Sequence, residues 1–228
     1  RAGMSGNENA VEGLLMTRFF LGVEHSLTGR AWRDRLDDEA HARALMMVQQ
    51  YGLPDVLARV LAGRGVSASD LPAYLEPRLR DLMPDPSSLI AMDRASARLA
   101  QAVTRKEHVA IFGDYDVDGT TAVSIVFDYL KTHYDAVQYY IPDRYTEGYG
   151  ISQQGITYAA EQGICLIITL DCGIKAIDNI AQAKSLGIDI IVCDHHLPGQ
   201  QLPDAYAILN PKQTQCLYPY KELSGAGI

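Results

Sequence analysis

From Val109 onward, short β-branched runs alternate with stretches of helical period: Val109–Phe112, Thr120–Tyr134, Val137–Ile141, Ser152–Gln162, Cys165–Leu170, Lys175–Leu186, Ile188–Cys193 and Ala205–Leu209. Strands separated by helices of about 10–15 residues cannot pair as tight hairpins; they return parallel, with the helices covering both faces of the sheet. The expected fold is therefore α/β, a parallel sheet flanked by helices over residues 87–228. A small helical region is expected before it, over residues 1–86. Partial order at best is expected before Leu14. Helical spacing joins Ala44, Met47, Val48 and Tyr51, breaks at Gly52-Leu53-Pro54, and resumes with Val56, Leu57, Val60 and Leu61. A shorter helix starts at Ser69-Asp70-Leu71 and stops before Pro77. Pro84-Asp85-Pro86 reads as a linker, after which Ser87 or Ser88 caps a helix carrying Leu89, Met92, Ala95, Leu99 and Val103.

Several function classes fall away on composition. Of 228 residues 47% are hydrophobic, yet no apolar run approaches the ~20 residues needed to span a bilayer as a helix. No secretory signal is recognisable at the start. Cys165, Cys172, Cys193 and Cys216 form no C-x-x-C pair, which reads as reduced thiols in a cytoplasmic protein. The net charge of -8 on its own argues against a nucleic-acid partner. It is unevenly spread: residues 1–105 hold 13 Arg, no Lys and 13 acids, whereas residues 106–228 hold one Arg, six Lys and 15 acids. The shift near Arg105 fits either a domain boundary or a junction of two segments.

Three strands end in residues that carry chemistry. Asp114-Tyr115-Asp116-Val117-Asp118-Gly119 follows the first, Asp171-Cys172-Gly173 the third and Asp194-His195-His196 the fourth. Each alone has a plain reading: a solvated Asp-rich turn, an Asp capping the next helix, a surface histidine pair. An EF-hand is excluded because its twelfth position, Ile125, is no carboxylate. No G-x-G-x-x-G or P-loop follows the first strand either. In a parallel sheet, however, the carboxyl ends of all strands share one edge, where sites are built. That edge gathers Asp114, Asp116, Asp118, Asp171, His195 and His196. Oxygen ligands with one or two imidazoles suit Mn²⁺ or Mg²⁺, with zinc a lesser alternative because Cys172 and Cys193 lie nearby in sequence.

The blocks Ile111–Thr121, Asp171-Cys172-Gly173 and Asp194-His195-His196-Leu197-Pro198 resemble motifs one to three of the DHH phosphoesterase superfamily. Ile141-Pro142-Asp143-Arg144, Glu147-Gly148-Tyr149-Gly150, Leu209-Asn210-Pro211-Lys212 and Leu223-Ser224-Gly225-Ala226-Gly227 extend the likeness toward its single-strand-specific 5′-to-3′ DNA exonucleases. The resemblance implies two-metal phosphodiester hydrolysis in DNA repair and recombination. Asp114, Asp116, Asp118, Asp171 and His195 match metal ligands, with Asp171 the bridge and a catalytic residue. His196 faces the scissile phosphate, and Asp194 orients a histidine. Arg144, among Tyr139, Tyr140, Tyr145 and Tyr149, contacts phosphate where the rings stack on bases, while at least one of Tyr139 and Tyr140 belongs to the core. Ser224, Gly225 and Gly227 either offer N–H groups to a terminal phosphate or form a plain turn. The implied partner is single-stranded DNA, with a single-strand-binding protein or helicase beside a monomeric enzyme. The superfamily's fourth motif lies beyond Ile228, as do a second core domain and an OB-fold. An N-terminal portion of a nuclease, with an incomplete metal site and weak or no activity alone, is therefore expected. The alternatives are a DHH enzyme acting on short oligonucleotides, cyclic dinucleotides or pyrophosphate, and a non-catalytic replication scaffold.

Overall fold

Residues 19–228 are described by a computed structural model. The expectation for the segment before Leu14 lies outside the described residues. The chain divides into two compact units after Leu82. In the first, α1 (Asp38–Tyr51) packs on α2 (Asp55–Gly63), followed by short α3 (Leu71–Leu75) and α4 (Leu79–Leu82). Asp37 caps α1 by accepting from the Ala40 amide at 2.7 Å. Ala44, Met47, Ala58, Leu61 and Leu71 form this unit's core.

The second unit contains α5 (Met92–Arg105), β1 (His108–Gly113), α6 (Val117–His133), β2 (Val137–Tyr140), α7 (Gln153–Glu161), β3 (Ile164–Leu170), α8 (Ile177–Ser185), β4 (Asp189–Cys193) and β5 (Ala207–Leu209). The strands form one parallel sheet in the order β2-β1-β3-β4-β5, the α/β architecture expected from the sequence. Alternate residues serve opposite faces. Val109, Ile111, Ile168 and Ile191 pack with residues of α5 and α6, whereas Ala110, Phe112, Ile167 and Ile190 pack with residues of α7 and α8. Burial on both faces is why these strands read as nearly continuous apolar runs.

Two helix starts differ from the sequence reading by three residues or more, and the other ends agree within two. Helix α6 begins at Val117 rather than Thr120, because the Asp116 carboxylate accepts from the Gly119 amide at 2.9 Å and makes the acidic loop the helix start. Ser87 and Ser88 do not cap α5. They lie in a 3₁₀ turn capped by Asp85, and buried Leu89 redirects the chain before α5 opens at Met92.

The topology fixes where a site can form. The chain leaves β1 toward β2 at one edge and leaves β3 toward β4 on the other side, so strand order reverses between β1 and β3. A crevice opens beyond the carboxyl ends at such a point. Gly113 pairs with Leu170, Leu170 with Cys193, and Cys193 with Leu209. The next residue on each strand therefore falls in one row: Asp114, Asp171, Asp194 and Asn210, none more than 1% exposed.

At the opposite edge Arg98 of α5 ties two strand entries together, its Nε 2.6 Å from Asp189 and its Nη2 2.8 Å from Glu107. Arg98→Ala is expected to destabilise the protein by about 2 kcal/mol in denaturant titrations, less than the ~3–5 for a fully buried pair, because the Asp189 side chain is 41% exposed.

Candidate metal centre

Asp114 follows β1 and is buried, yet neither carboxylate oxygen accepts a hydrogen bond. The same is true of Oδ1 of buried Asp171 after β3. Burial, then the Asp116 charge, raises the pKa of Asp114 against the lowering effect of the nearby Tyr115 and Gly150 amides, neither of which makes a well-formed hydrogen bond to it. Burial together with the facing carboxylates of Asp118 and Asp116 pushes Asp171 up to about 7. Desolvated, unpartnered carboxylates facing one another are costly unless a cation neutralises them. Ligand atoms of Asp114, Asp116 and Asp171 lie within 4.8 Å of one another, and so do those of Asp171, His195 and His196. Asp171 belongs to both groups. Hard oxygen donors with imidazole nitrogen suit a divalent ion such as Mn²⁺ or Mg²⁺. Cys172 and Cys193 are free thiols whose pKa burial raises, so neither presents a thiolate suited to zinc.

The turn at Asp171 is conformationally special. Its φ of 62° is left-handed, a region that costs a non-glycine residue on the order of 1 kcal/mol or more. Asp171 does not cap α8, whose N-cap is Ala176. His195 Nε2 lies 3.1 Å from Asp171 Oδ1 and 3.6 Å from Asp118 Oδ2. The His196 Nδ1 is 2.7 Å from buried Asp194, which also accepts from the His196 amide at 3.0 Å and the Ile174 amide at 2.9 Å. That holds the ring with Nε2 directed away from Asp194. Asn210 completes the support by donating to the His196 carbonyl at 2.9 Å.

Two loops border this row. In the segment between β2 and α7, Asp143 Oδ1 accepts from the Tyr145 and Thr146 amides, and Glu147 accepts from Tyr140, Ser152 and the Asp143 amide. The bracing presents exposed Arg144 with its guanidinium 5.1 Å from the Tyr115 ring centre. Tyr140 is the core ring of its pair, stacked on Phe112, whereas Tyr139 is 57% exposed. The second loop approaches from the other direction. Its Gly225 and Ala226 amides donate to Asp118 at 2.6 and 2.8 Å, and the Gly227 amide donates to the Ser224 carbonyl. In this structure the Gly225 and Ala226 amides are thereby engaged by Asp118 and the Gly227 amide within the turn. They also lower the Asp118 pKa against the opposing effect of burial. Only glycine fits at 225, since a Cβ there would lie 2.5 Å from the Asp171 carboxyl carbon.

Residues 108–228 match the DHH family, N-terminal domain. The chain belongs to the DHH family. It is 39% identical over 198 residues to the single-stranded-DNA-specific exonuclease RecJ of Bacillus subtilis, covering 86% of this chain and 25% of that one. To the RecJ of Escherichia coli it is 36% identical over 177 residues, 77% of this chain and 30% of that one. The chain thus spans between a quarter and a third of the length of these relatives. A solved RecJ bound to manganese superposes with a TM-score of 0.56 at 31% identity over 61% of this chain and 35% of that one. RecJ from Thermus thermophilus in complex with Mn²⁺ superposes with a TM-score of 0.63 at 25% identity, over 82% and 26%.

Within this DHH fold the structure brings Asp114, Asp116, Asp171, His195 and His196 together. It places Asp118 beside them, held by the 224–227 turn. Sequence reasoning gave no role to Asn210 or Glu147 and treated Tyr149 only as a stacking ring. A signal for Asn210 was present: it follows its strand directly, as the three aspartates do. In metal-free protein Asp171 keeps its proton to about pH 7, whereas the unfolded chain releases it near the ordinary value of 3.8. The folded state binds more protons across that window, so this group makes stability fall as pH rises through it. Thermal melts in EDTA between these limits should show the decline, and Asp171→Asn should flatten it; an identical slope in the variant would contradict the assignment.

Proposed function

We propose that this chain forms the metal-binding portion of a phosphodiesterase that removes nucleotides 5′ to 3′ from single-stranded DNA with two divalent ions. The observation that carries the reading is the sharing of Asp171 between two clusters of ligand atoms, with buried oxygens that accept no hydrogen bond. Asp114, Asp116 and Asp171 would hold one ion; Asp171 and His195, with Asp118 alongside, would hold the other. Bound Mn²⁺ or Mg²⁺ would supply an activated water and neutralise charge on the phosphate. His196, steadied at Nδ1 by Asp194, presents Nε2 to the oxygens on which negative charge develops. Arg144 offers a phosphate contact, and the exposed ring of Tyr145 on the same loop, with half-buried Tyr115 under the guanidinium, offers a surface for bases. The names of the RecJ relatives support this substrate. Such an enzyme would act as a monomer on strands exposed by a helicase or coated by a single-strand-binding protein. Four free cysteines fit the reducing cytoplasm.

Two divalent ions would offset the negative charges of Asp114, Asp116, Asp118 and Asp171, so the formal charge of the chain is not the charge a polyanionic substrate would meet at the site. The test is to replace the matching quarter of Bacillus subtilis RecJ with this chain and incubate the chimera with 5′-labelled single-stranded DNA and Mn²⁺. Shortening from the labelled end is expected. Asp116→Ala and Asp171→Ala should abolish it with folding retained, and His196→Ala should slow it by about a hundredfold. Full activity in both aspartate variants would refute the reading. A folded chimera that spares single-stranded DNA but cleaves cyclic dinucleotides would redirect it to small phosphates.

A further inference from the structure

The left-handed turn at Asp171 is locked by side chains from three directions. Thr169 Oγ1 donates to the Cys172 carbonyl at 2.9 Å, and the Ile174 amide donates to Asp194 Oδ2 at 2.9 Å. Gly173, at a φ of 111°, has no room for a Cβ, which would lie 2.8 Å from Thr169 Oγ1. The Asp171 carbonyl itself is held by a residue distant in sequence: Tyr149 Oη donates to it at 3.0 Å. Thr169 borders the turn on β3 and Asp194 directly after β4. The hydrogen bond from Tyr149 comes from the loop that carries Arg144.

Although the Tyr149 residue is 54% exposed overall, its hydroxyl points inward, between the Asp171 carbonyl and His196 Nε2, which is 3.3 Å away. A phenol hydroxyl carries its proton at neutral pH and can donate it to the carbonyl. Its ring stands edge-on to Tyr115 at 6.3 Å, and Tyr115 lies under the Arg144 guanidinium. One side chain therefore touches the strained backbone of the shared aspartate, a histidine of the metal-capable cluster and the ring beneath the loop arginine.

We propose that Tyr149 is a positioning residue: its hydroxyl holds the Asp171 turn in the left-handed conformation that aims the carboxylate at the metal site, and so ties the Arg144 loop to metal affinity. The inference rests on the reading that Asp171 binds metal. Outer residues that orient ligands typically change metal affinity by about 10–100-fold when lost. Tyr149→Phe keeps the ring and its contact with Tyr115 and removes only the hydroxyl.

Mn²⁺ binding to the 228-residue chain and to this variant would be measured by calorimetry and by the electron paramagnetic resonance signal of free Mn²⁺. Thermal unfolding of both metal-free proteins would be recorded in parallel. The expected result is affinity weakened about tenfold in Tyr149→Phe, with an altered signal for any Mn²⁺ that remains bound. Tyr149→4-aminophenylalanine, whose amine N–H occupies the place of the hydroxyl and can donate to the same carbonyl, is expected to recover most of the loss and also serves if Tyr149→Phe fails to fold. Equal affinity in wild type and Tyr149→Phe overturns the proposal, whatever happens to metal-free stability, because a purely structural hydroxyl would change only the latter. An equal loss in Tyr149→Phe and Tyr149→4-aminophenylalanine overturns it too. No Mn²⁺ binding by the unaltered chain would sink the metal reading and this inference with it, whereas binding that ignores Tyr149 sinks the inference alone.

Discussion

Asp114 and Asp171 are withdrawn from water and carry oxygens that accept no well-formed hydrogen bond, and their ligand atoms lie within 4.8 Å of one another and of Asp116. Repulsion between like charges in a poorly solvated place would ordinarily push such groups apart or into solvent. Here the surrounding structure holds them. The sheet supplies the rigidity, because each aspartate is the first residue after a strand buried on both faces. The left-handed backbone of Asp171 adds a second local cost, met by hydrogen bonds from Tyr149 and around Cys172 and Ile174. Sites that store strain in this manner are generally functional, since nothing in folding alone favours them.

The supporting shell is as organised as the ligands. Asp194 and Asn210 occupy the same row as Asp114 and Asp171, but their side chains turn to the His196 ring and the His196 backbone. A single row of aligned strand ends thus provides both groups that can hold an ion and groups that orient them. Asp118 belongs to both tasks. It faces His195, yet both of its oxygens are engaged by the amides of Gly225 and Ala226, so the turn near residue 225 is built into the site rather than laid over it.

Much of this was legible in the sequence because it depends on periodicity and strand ends. Alternation of β-branched runs with helical stretches gave the parallel sheet. The immediate succession of strand and Asp then placed three motifs on one edge. What escaped depends on the third dimension. No spacing along the chain shows that Tyr149 reaches a carbonyl 22 residues away, or that Glu147 braces its own loop through Tyr140 and Ser152. The start of α6 was missed for a local reason: Asp116 both caps that helix and faces the site, and the two roles leave the same residue type in the sequence.

The in-register ending of β1, β3, β4 and β5 also bears on the order of events during folding. Groups able to hold an ion come from strand ends separated by up to 82 positions, between Asp114 and His196. No local segment contains a complete set, so no early intermediate held together by neighbouring contacts alone can hold an ion in this geometry. Closing those long loops and pairing parallel strands is slow compared with forming helices. Ion capture would therefore come late and reward only a sheet whose strands have found their correct partners. A register error in any one strand would withdraw its residue from the row and forfeit that reward, so a tightly bound ion would select the native pairing over its near misses.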